Sequence, residues 1–431
     1  SVVSLSNSKV SRKLMAIHNA KILSFPNKTI IPGLMDANVH LYLGPLLESV
    51  TRYEGRFEDL ITEAAQVTLK QGLTTVFDSW GPREDLVRVR NAINKGKITA
   101  SRIFLAGNIV GYGGPLTKDF LPAGQSLPAS KHLINRNNER WEQGVGPELV
   151  WMTPDKVREK IRDYSKKDID FIKYASSGHA QNASQYIAFS ELTQRGIIEE
   201  GHAAGITVQA HTSTVESLRM AVEAGVDMLQ HCEITGTVPI PTTTIELMVE
   251  KDVACVTFAR TDAALDVFVE GLQGSMYEEH AAGVTIRDQN TRNMLKGGVN
   301  LLLGTDAGLF GADLSDMLTD GKDVLGKLGE GHFHWLEAMT EKGMKPMDVL
   351  MAATSNIAKA YKVDKDIGTL EVGKKADLLI LDGNPLEDVQ AYRKIHMIIK
   401  DGKLVNRDKL PEHPILTLDV LEKDQPYFDY D

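Results

Sequence analysis

An alternation of short apolar segments with amphipathic helical segments is the strongest constraint on how this chain folds. Eight apolar segments are predicted as strands: one ending at His40, then Thr74–Ser79, Arg102–Ala106, Asp170–Ala175, Thr207–His211, Asp227–His231, Val253–Phe258 and Val299–Thr305. Helical patterns lie between most of them, and one, Glu58–Gln71, stops at a glycine, Gly72, as helices commonly do. Eight strand–helix units favour an α/β fold of the (β/α)8 TIM-like barrel type over an open sheet.

Both ends of the chain depart from this alternation. Residues 1–31 carry short apolar pieces typical of strands, and residues 366–431 contain strand–turn–strand patterns, including the hairpin signal Asp401-Gly402 after Ile395–Lys400. These strands have no partners close by in the sequence. We therefore expect residues 1–31 and 366–431 to form a small β-sandwich with a tail, and residues 32–365 to form the barrel.

One connection, over residues 108–152, is much longer than the others. It is rich in glycine and proline, contains tryptophan and tyrosine, and shows no helical or strand period. Long connections in compact domains are usually functional lids or disordered segments. The aromatic side chains favour a lid, and a surface insert is the alternative.

Composition restricts the partners that this chain can have. The net charge is −10, with no basic block, so nucleic acid is not an expected partner. No apolar run reaches the ~18–20 residues that span a bilayer, so no membrane contact is predicted. Two cysteines are too few for a disulfide scaffold, and they favour a reducing cytoplasm. We expect a cytoplasmic homo-oligomer that acts on a small molecule.

Polar side chains stand at the ends of five predicted barrel strands, which is where barrel enzymes build their sites. They are Asn38, His40, Lys173, His211, His231 and Asp306. Taken singly, each has an ordinary explanation: a rim histidine, a lysine reaching solvent, or an aspartate capping a helix. Taken together, they converge on one mouth and match the ligands of Zn²⁺, Co²⁺, Mn²⁺ or Fe²⁺. The pattern therefore predicts a site for one or two divalent transition metals.

These residues and several motifs resemble the amidohydrolase superfamily, most of all the branch of imidazolonepropionase-like and prolidase-like enzymes. The resemblance extends from Pro32-Gly-Leu-Met-Asp36 through the strand-end residues to Ala352-Ala-Thr-Ser-Asn356 and Gly373-Lys-Lys-Ala-Asp-Leu378. It implies that Lys173 is carboxylated and bridges two metals. It also implies that His40 and Asp306 bind the first metal and that His211 and His231 bind the second.

The chain departs from the superfamily at Asn38, where a histidine is usual. An amide oxygen is a weaker ligand than imidazole, so we expect the first metal site to bind loosely or to prefer a different metal. Asparagine at this position is a feature that resembles the phenylurea hydrolases and the related thiocarbamate-cleaving molinate hydrolase. The resemblance to that group favours xenobiotic ureas and carbamates over peptides.

The predicted mechanism uses water activated by the metal to attack a carbonyl carbon. Asp306 is expected to take the proton of the water and to deliver it to the leaving amine. The metal is expected to stabilise the oxyanion, and the candidates for an additional donor are His231 and, just after the fourth strand, Tyr174 and His179.

The predicted substrate is a urea, carbamate or thiocarbamate such as a phenylurea or a molinate-type herbicide. Aryl or alkyl groups require an apolar pocket, for which aromatic residues lie at the correct end of the barrel: Trp80, Tyr112, Trp141, Trp151 and Phe310. Arg260, after the seventh strand, would suit a free carboxylate, so an Xaa-Pro dipeptidase-like or other amide hydrolase is an alternative. A catalytically dead barrel that acts as a binding protein is the alternative from another class.

Overall fold

Two parallel β-sheets form the centre of the fold in the computed structural model, which describes residues 23–42, 50–51, 53–120, 129–179, 186–273, 281–308 and 326–411. The described strands are, in chain order, β1 (Thr29–Pro32), β2 (Leu34–Val39), β3 (Leu73–Asp78), β4 (Arg102–Leu105), β5 (Ile109–Val110), β6 (Phe171–Ala175), β7 (Thr207–His211), β8 (Met228–Gln230), β9 (Ala254–Thr257), β10 (Leu301–Leu303), β11 (Leu378–Leu381), β12 (Ile395–Lys400) and β13 (Lys403–Leu404). One sheet has the order β2-β3-β4, and the other has the order β10-β9-β8-β7-β6-β5. Within both sheets every ladder is parallel.

The edges of the two sheets approach each other at two places. Val39 forms a parallel bridge with Ala307, just after β10, and the backbone N–H of Asp306 donates to the carbonyl of Asn38 at 2.8 Å. On the other side, the N–H of Asp170 donates to the carbonyl of Leu105 at 2.8 Å. The α/β class with parallel sheets is therefore confirmed. The described ladders are not continuous around eight strands, so the closed barrel stays a prediction.

Helices cover the sheets, and their sequences explain their limits. They are α1 (Phe57–Lys70), α2 (Arg83–Asn94), α3 (Lys131–Glu142), α4 (Pro154–Tyr164), α5 (Glu191–Ala203), α6 (Val215–Ala224), α7 (Thr242–Glu250), α8 (Asp262–Leu272), α9 (Ala281–Gly297), α10 (Gly331–Glu341), α11 (Pro346–Ala352) and α12 (Ser355–Ala360). In α4 a proline occupies the first turn, and Val157, Ile161 and Tyr164 bury one face. No described helix is long and apolar enough to cross a membrane.

The segment from Pro346 to Tyr361 has a continuous apolar period that predicts one helix, but the structure contains two. The break lies at Thr354, whose backbone has φ −143° and ψ −94°, far from helical values. The Thr354 hydroxyl donates to the carbonyl of Leu350 at 2.6 Å, which compensates in part for the interrupted helical ladder.

Strands from both ends of the chain pair in a four-stranded antiparallel sheet of order β1-β11-β12-β13. Thr29 to Pro32 pair with Leu381 to Leu378. The predicted hairpin is present, since Asp401 (φ 50°) and Gly402 (φ 76°) form a turn with two left-handed residues between β12 and β13. The described residues give one sheet rather than two layers, and residues 1–22 and 412–431 lie outside them. The sandwich and the exact domain limits therefore stay predictions.

The long insert contains more secondary structure than its sequence pattern predicts. It includes α3 and a short 3₁₀ helix, Pro147–Trp151. Trp141 on α3 is fully buried against the rings of Tyr42 and Phe57, at centroid distances of 5.2 and 5.8 Å. Trp151 is 89% exposed. The helix α3 of the insert is therefore packed against Tyr42 and Phe57, and the action of the insert as a lid stays a prediction.

The two cysteines lie on neighbouring strands and are paired with each other. Cys232 follows β8, Cys255 is in β9, and their Cα atoms are 6.2 Å apart. Both cysteines are completely buried. The pairing itself was not predicted, because the two residues are adjacent only through the register of β8 and β9.

Candidate metal centre

The ends of β2 and β10 bring three predicted ligands into direct contact. His40 Nε2 lies 2.9 Å from Asp306 Oδ1, and Asn38 Nδ2 donates to the same oxygen at 2.8 Å. Residues 38 and 40 are two apart on an extended segment, so their side chains point to the same side, as predicted. Asp306 joins them because its own N–H is hydrogen-bonded to the carbonyl of Asn38.

Lys173 is linked to this group by Ser79, at the end of β3. The Lys173 ammonium donates to Ser79 Oγ at 3.0 Å, and the Ser79 hydroxyl donates in turn to Asn38 Oδ1. Lys173, Ser79 and Asn38 are all buried. A continuous hydrogen-bonded chain therefore runs from Lys173 through Ser79 and Asn38 to Asp306.

Three histidines form the other half of the site. His211 at the end of β7 and His231 after β8 have ring centroids 4.3 Å apart. His179, which sequence reasoning placed among the weaker candidates, stacks on His211 with centroids 5.4 Å apart and planes 13° apart. All three rings are buried. The structure therefore adds His179 to the cluster of possible ligands.

The hydrogen bonds of the histidines leave their Nε2 atoms for a metal. His40 Nδ1 lies 3.1 Å from the carbonyl of Trp80, and His231 Nδ1 lies 3.1 Å from the carbonyl of Thr212. A carbonyl only accepts, so each Nδ1 carries the proton. His211 bonds to the backbone of Gly178, and its Nε2 has no hydrogen-bond partner among the described residues. Metal-binding histidines are commonly oriented in this way.

The residues present therefore fit a divalent metal. In neutral His40 an unprotonated Nε2 would face the carboxylate of Asp306 at 2.9 Å, and two acceptors at that distance require a cation or a proton between them. The buried, unpartnered Nε2 of His211 is equally unusual without a cation. Imidazole, carboxylate and carbamate are suitable ligands for Zn²⁺, Co²⁺, Mn²⁺ and Fe²⁺.

Burial shifts the protonation of these groups toward the forms that bind metals. It lowers the pKa of His231 to about 3 and that of His179 to about 4, and it lowers the pKa of His211 well below the usual range. Burial also lowers the pKa of Lys173 to about 8, against the opposing charges of Asp306 and Asp78. A neutral lysine amine reacts with CO₂ to give a carbamate, so this shift favours the carboxylated form.

The carboxyl of Asp306 remains ionised. Burial raises its pKa, but the hydrogen bond and charge of His40, followed by the charge of Lys173, outweigh burial and hold the pKa well below the ordinary value. The carboxylate is thus available to accept a proton at neutral pH.

Two buried aspartates hold the backbone next to the site through hydrogen bonds. Asp36 accepts from the backbone N–H of Asn38 at 3.0 Å and from the hydroxyl of Thr305 at 2.7 Å. Asp78 accepts from the backbone N–H of Leu41 at 2.7 Å. Burial raises the pKa of each aspartate to about 7. These contacts fix the backbone on both sides of the Asn38–His40 pair.

Two of the predicted ligands have an uncommon backbone conformation. His231 has φ 38° and Asp306 has φ 53°, both in the left-handed region. Non-glycine residues adopt this region rarely, and functional sites are where such conformations concentrate. The conformation turns each side chain at the point where its strand ends.

Aromatic rings enclose the polar cluster. Trp80 contacts His40 with centroids 6.1 Å apart, and Phe120 stacks on Trp80 at 3.9 Å. Tyr112 contacts His211 at 5.3 Å. We call these three residues, Trp80, Tyr112 and Phe120, the aromatic wall. All three are buried, so the wall gives the site an apolar boundary.

Not every predicted substrate-binding residue is at the site. Tyr174 is a correction: it alternates with Lys173 along β6, so it faces away from the mouth, and its hydroxyl donates to Gln194 on α5 at 3.0 Å. Arg260 follows β9, and its guanidinium lies 4.4 Å from the ring centroid of Phe268 rather than among the ligands. Phe310 lies outside the described residues.

Two functional residues were missed by sequence reasoning. Ser79 ends a predicted strand, but serine is neither ionised near neutral pH nor a common ligand of these metals, so its residue type alone does not indicate a role. Phe120 lies in the insert, where the sequence has no helical or strand periodicity to indicate which aromatic side chains face the site. The position of Ser79 at a strand end was a usable signal; for Phe120 the sequence offered none.

Histidines, an aspartate and a lysine converge at the carboxyl ends of parallel strands, an arrangement that fits a metal-dependent hydrolase. Residues 29–405 match the model of the amidohydrolase family. The chain belongs to this family, which confirms the resemblance and the prediction of a hydrolase that acts on C–N bonds. Members of the family typically depend on divalent metals.

Solved structures and a curated relative agree with this assignment. The chain is similar to molinate hydrolase, with 33% identity, a TM-score of 0.84 and coverage of 95% of this chain and 91% of the other. It is similar to phenylurea hydrolase B, with 33% identity, a TM-score of 0.85 and coverage of 93% and 90%. It is also 24% identical to ochratoxinase from Aspergillus niger over 416 residues, which cover 92% of this chain and 78% of the relative.

Proposed function

We propose that this protein hydrolyses a urea, carbamate or thiocarbamate with an aryl or alkyl substituent, using divalent metal held by His40, Lys173, His211, His231 and Asp306. Similarity to molinate hydrolase and phenylurea hydrolase B at 33% identity over most of both chains supports this substrate class. The observation that carries the proposal is the aromatic wall, which contacts both halves of the polar cluster.

The geometry suits an apolar group held beside a hydrolytic centre. Trp80 borders His40, Tyr112 borders His211, and Phe120 borders His179 at 5.2 Å between centroids. A ring or branched alkyl group in contact with these faces would leave its attached carbonyl next to the histidines. Apolar pockets with a few convergent polar groups are the usual form of small-molecule sites.

The residues divide the chemistry between them. When bound, a divalent cation supplies acidified water and polarises the substrate carbonyl. Asp306, held as a carboxylate by His40 and Asn38, accepts the proton of the attacking water and returns it to the leaving nitrogen or sulfur. The bond from the carbonyl carbon to that atom breaks as the oxygen of water is retained on carbon. His211 and His231, kept neutral by burial, would hold the cation through their Nε2 atoms.

A second candidate is the hydrolysis of an amide whose amine portion carries a carboxylate, as in a dipeptidase. The specific observation that favours it is the position of Arg260 beside the mouth, in a recess that also contains Arg287.

The test is a release assay with metal-reconstituted protein across phenylureas, thiocarbamates and Xaa-Pro dipeptides. Turnover of the first two classes with little of the third supports the proposal. Phe120→Ala should raise KM for an aryl substrate about 10-fold, since it removes an aromatic contact, while Phe120→Leu should retain most of the affinity. No turnover of any urea or carbamate, or identical KM values in both variants and the wild type, would overturn it.

A further inference from the structure

A recess opens beside the metal centre at the end of β9. It is lined by Phe258, Ala259 and Arg260 after that strand, by Arg287 and Asp288 of α9, and by Lys342 after α10. The recess is narrow inside and open on its outer side. The ring of Phe258 lies 5.3 Å from the ring of His231, so a single side chain separates the recess from a candidate metal ligand.

Arg287 differs from the neighbouring cations Lys342 and Arg292, which both pair with Asp288 and Asp262. Lys342 Nζ lies 2.5 Å from Asp288 Oδ1, and the other oxygen of Asp288 accepts from Arg292 at 2.7 Å. Asp288 is therefore shared by two cations. Within the described part of the chain, Arg287 forms no ion pair with any residue. Its guanidinium also forms no hydrogen bond there.

Glu233 is a further carboxylate whose charge acts on Arg287, without an ion pair between them. Glu233 is fully buried, its Oε1 accepts from the backbone N–H of Phe258 at 2.9 Å, and its Oε2 has no hydrogen-bond partner among the described residues. Burial, together with the charge of Arg260, lowers the pKa of Arg287 to about 10.

A guanidinium that is partly withdrawn from water and lacks a partner is costly unless an anion joins it. Arginine binds carboxylates through two parallel N–H groups, and the open side of the recess gives such a group access. Phe258 and Leu265 supply apolar surface around the charge. The recess thus combines an anion-binding cation with walls that suit an organic acid.

We propose that this recess binds a carboxylate, and that the carboxylate belongs to a substrate whose carbonyl lies at the metal centre. The inference rests on the proposed function for the position of that carbonyl and adds a preference to it: among ureas and carbamates, those that carry an acid group bind more tightly. The ring of Phe258 sets the separation between the two ends of such a substrate. Arg287 is the residue that distinguishes the acid from its neutral analogue.

The test compares N-(phenylcarbamoyl)glycine with its uncharged methylamide, using metal-reconstituted full-length protein. Arg287→Gln should raise KM for the acid about 10-fold or more, as expected on loss of a charge-assisted hydrogen bond, and should change kcat/KM for the methylamide less than twofold. Arg292→Gln is the matched control, because it removes an arginine of the same helix that is already paired with Asp288. It should leave the preference for the acid unchanged.

A binding measurement separates this inference from the proposed function and identifies the source of the anion. Calorimetry with benzoate should show binding to the wild type and to Arg292→Gln, and loss of binding in Arg287→Gln. Benzoate that competes with the acid substrate indicates a substrate subsite. Benzoate that binds without competing would overturn the substrate assignment, as would equal kcat/KM for acid and methylamide in the wild type. Absence of turnover together with Arg287-dependent benzoate binding would reject the proposed function and retain the carboxylate site.

Discussion

Asn38 donates a hydrogen bond from Nδ2 to Oδ1 of Asp306 at 2.8 Å, across 268 residues of sequence. The neighbours of the Asn38 amide determine its orientation. The Ser79 oxygen accepts a hydrogen bond from Lys173, so the Ser79 hydroxyl donates its own hydrogen to Asn38 Oδ1. The nitrogen therefore faces the carboxylate. In this arrangement Asn38 positions the proposed proton acceptor, a role different from the direct metal ligation that the sequence predicts.

Replacing Asn38 by aspartate tests this positioning. Asn38→Asp removes the N–H donor and places a second carboxylate beside Asp306, so the pKa of Asp306 should rise. We expect kcat/KM to fall about 10-fold or more and the acidic limb of its pH profile to move to higher pH. The pH dependence of kcat/KM, measured between pH 4 and 8, gives the answer. An unchanged acidic limb would contradict the positioning role.

A histidine at position 38 tests whether residue 38 is a metal ligand, with metal content as the measurement. Asn38→His should increase metal content and resistance to chelators if residue 38 is a ligand of the first metal, because imidazole binds these metals more strongly than an amide. Elemental analysis after dialysis against a chelator measures this. Metal content equal to that of the wild type would indicate that Asn38 acts only through its hydrogen bonds.

Lys173 should make metal loading depend on dissolved CO₂. The amine, with a pKa of about 8, is more protonated at lower pH, so formation of a carbamate should weaken as pH falls below 8. We expect reconstitution at pH 8 with bicarbonate to give more metal per chain than reconstitution in CO₂-free buffer. Lys173→Met should lose the bicarbonate effect, and Lys173→Glu, which supplies a carboxylate directly, should bind metal without it. Equal loading with and without bicarbonate would argue against carboxylation.

His332 should reduce stability in mild acid, far from the metal centre. It is fully buried, its Nε2 donates to the carbonyl of Gln71 at 3.0 Å, and burial lowers its pKa from 6.5 to about 3. Between those values the unfolded chain binds a proton that the folded chain does not, so stability falls as pH falls below 6.5, by about 1.4 kcal/mol per pH unit. Urea unfolding at pH 6.5 and 5.5 measures the slope. His332→Gln keeps a donor but does not titrate, so an equal slope in both proteins would refute the assignment.

A buried ion pair joins the first parallel sheet to the sheet built from both chain ends. Arg102 on β4 lies 2.5 Å from Asp377, just before β11, and both side chains are about 6% exposed. Arg102→Met should lower the free energy of unfolding by about 3–5 kcal/mol, because it leaves a buried carboxylate unpaired. Adding Asp377→Leu should recover more than half of the loss. Chemical denaturation of the two single variants and the double variant measures the coupling, and purely additive losses would show that the pair is not coupled.

Much of the site could be predicted because a parallel sheet places the carboxyl ends of its strands together. His40, His211 and His231 follow apolar runs, so their convergence requires only the strand order. The residues that were missed depend on packing instead. Ser79 matters because its hydroxyl fills the space between Lys173 and Asn38, a relationship between three separate strands.

The sequence by itself determined the strand–helix alternation, the pairing potential of the two chain ends and the identity of most polar groups at the mouth. These properties are local, because periodicity and turn residues act over a few neighbours. The tertiary structure decided which way each polar group faces. Contacts between distant segments decide four features: the orientation of the Asn38 amide, the position of His179 in the cluster, the outward direction of Tyr174 and the lack of a partner for Arg287. Such contacts form only when the sheets and helices pack, since the energy of a buried polar group depends on the partners that surround it.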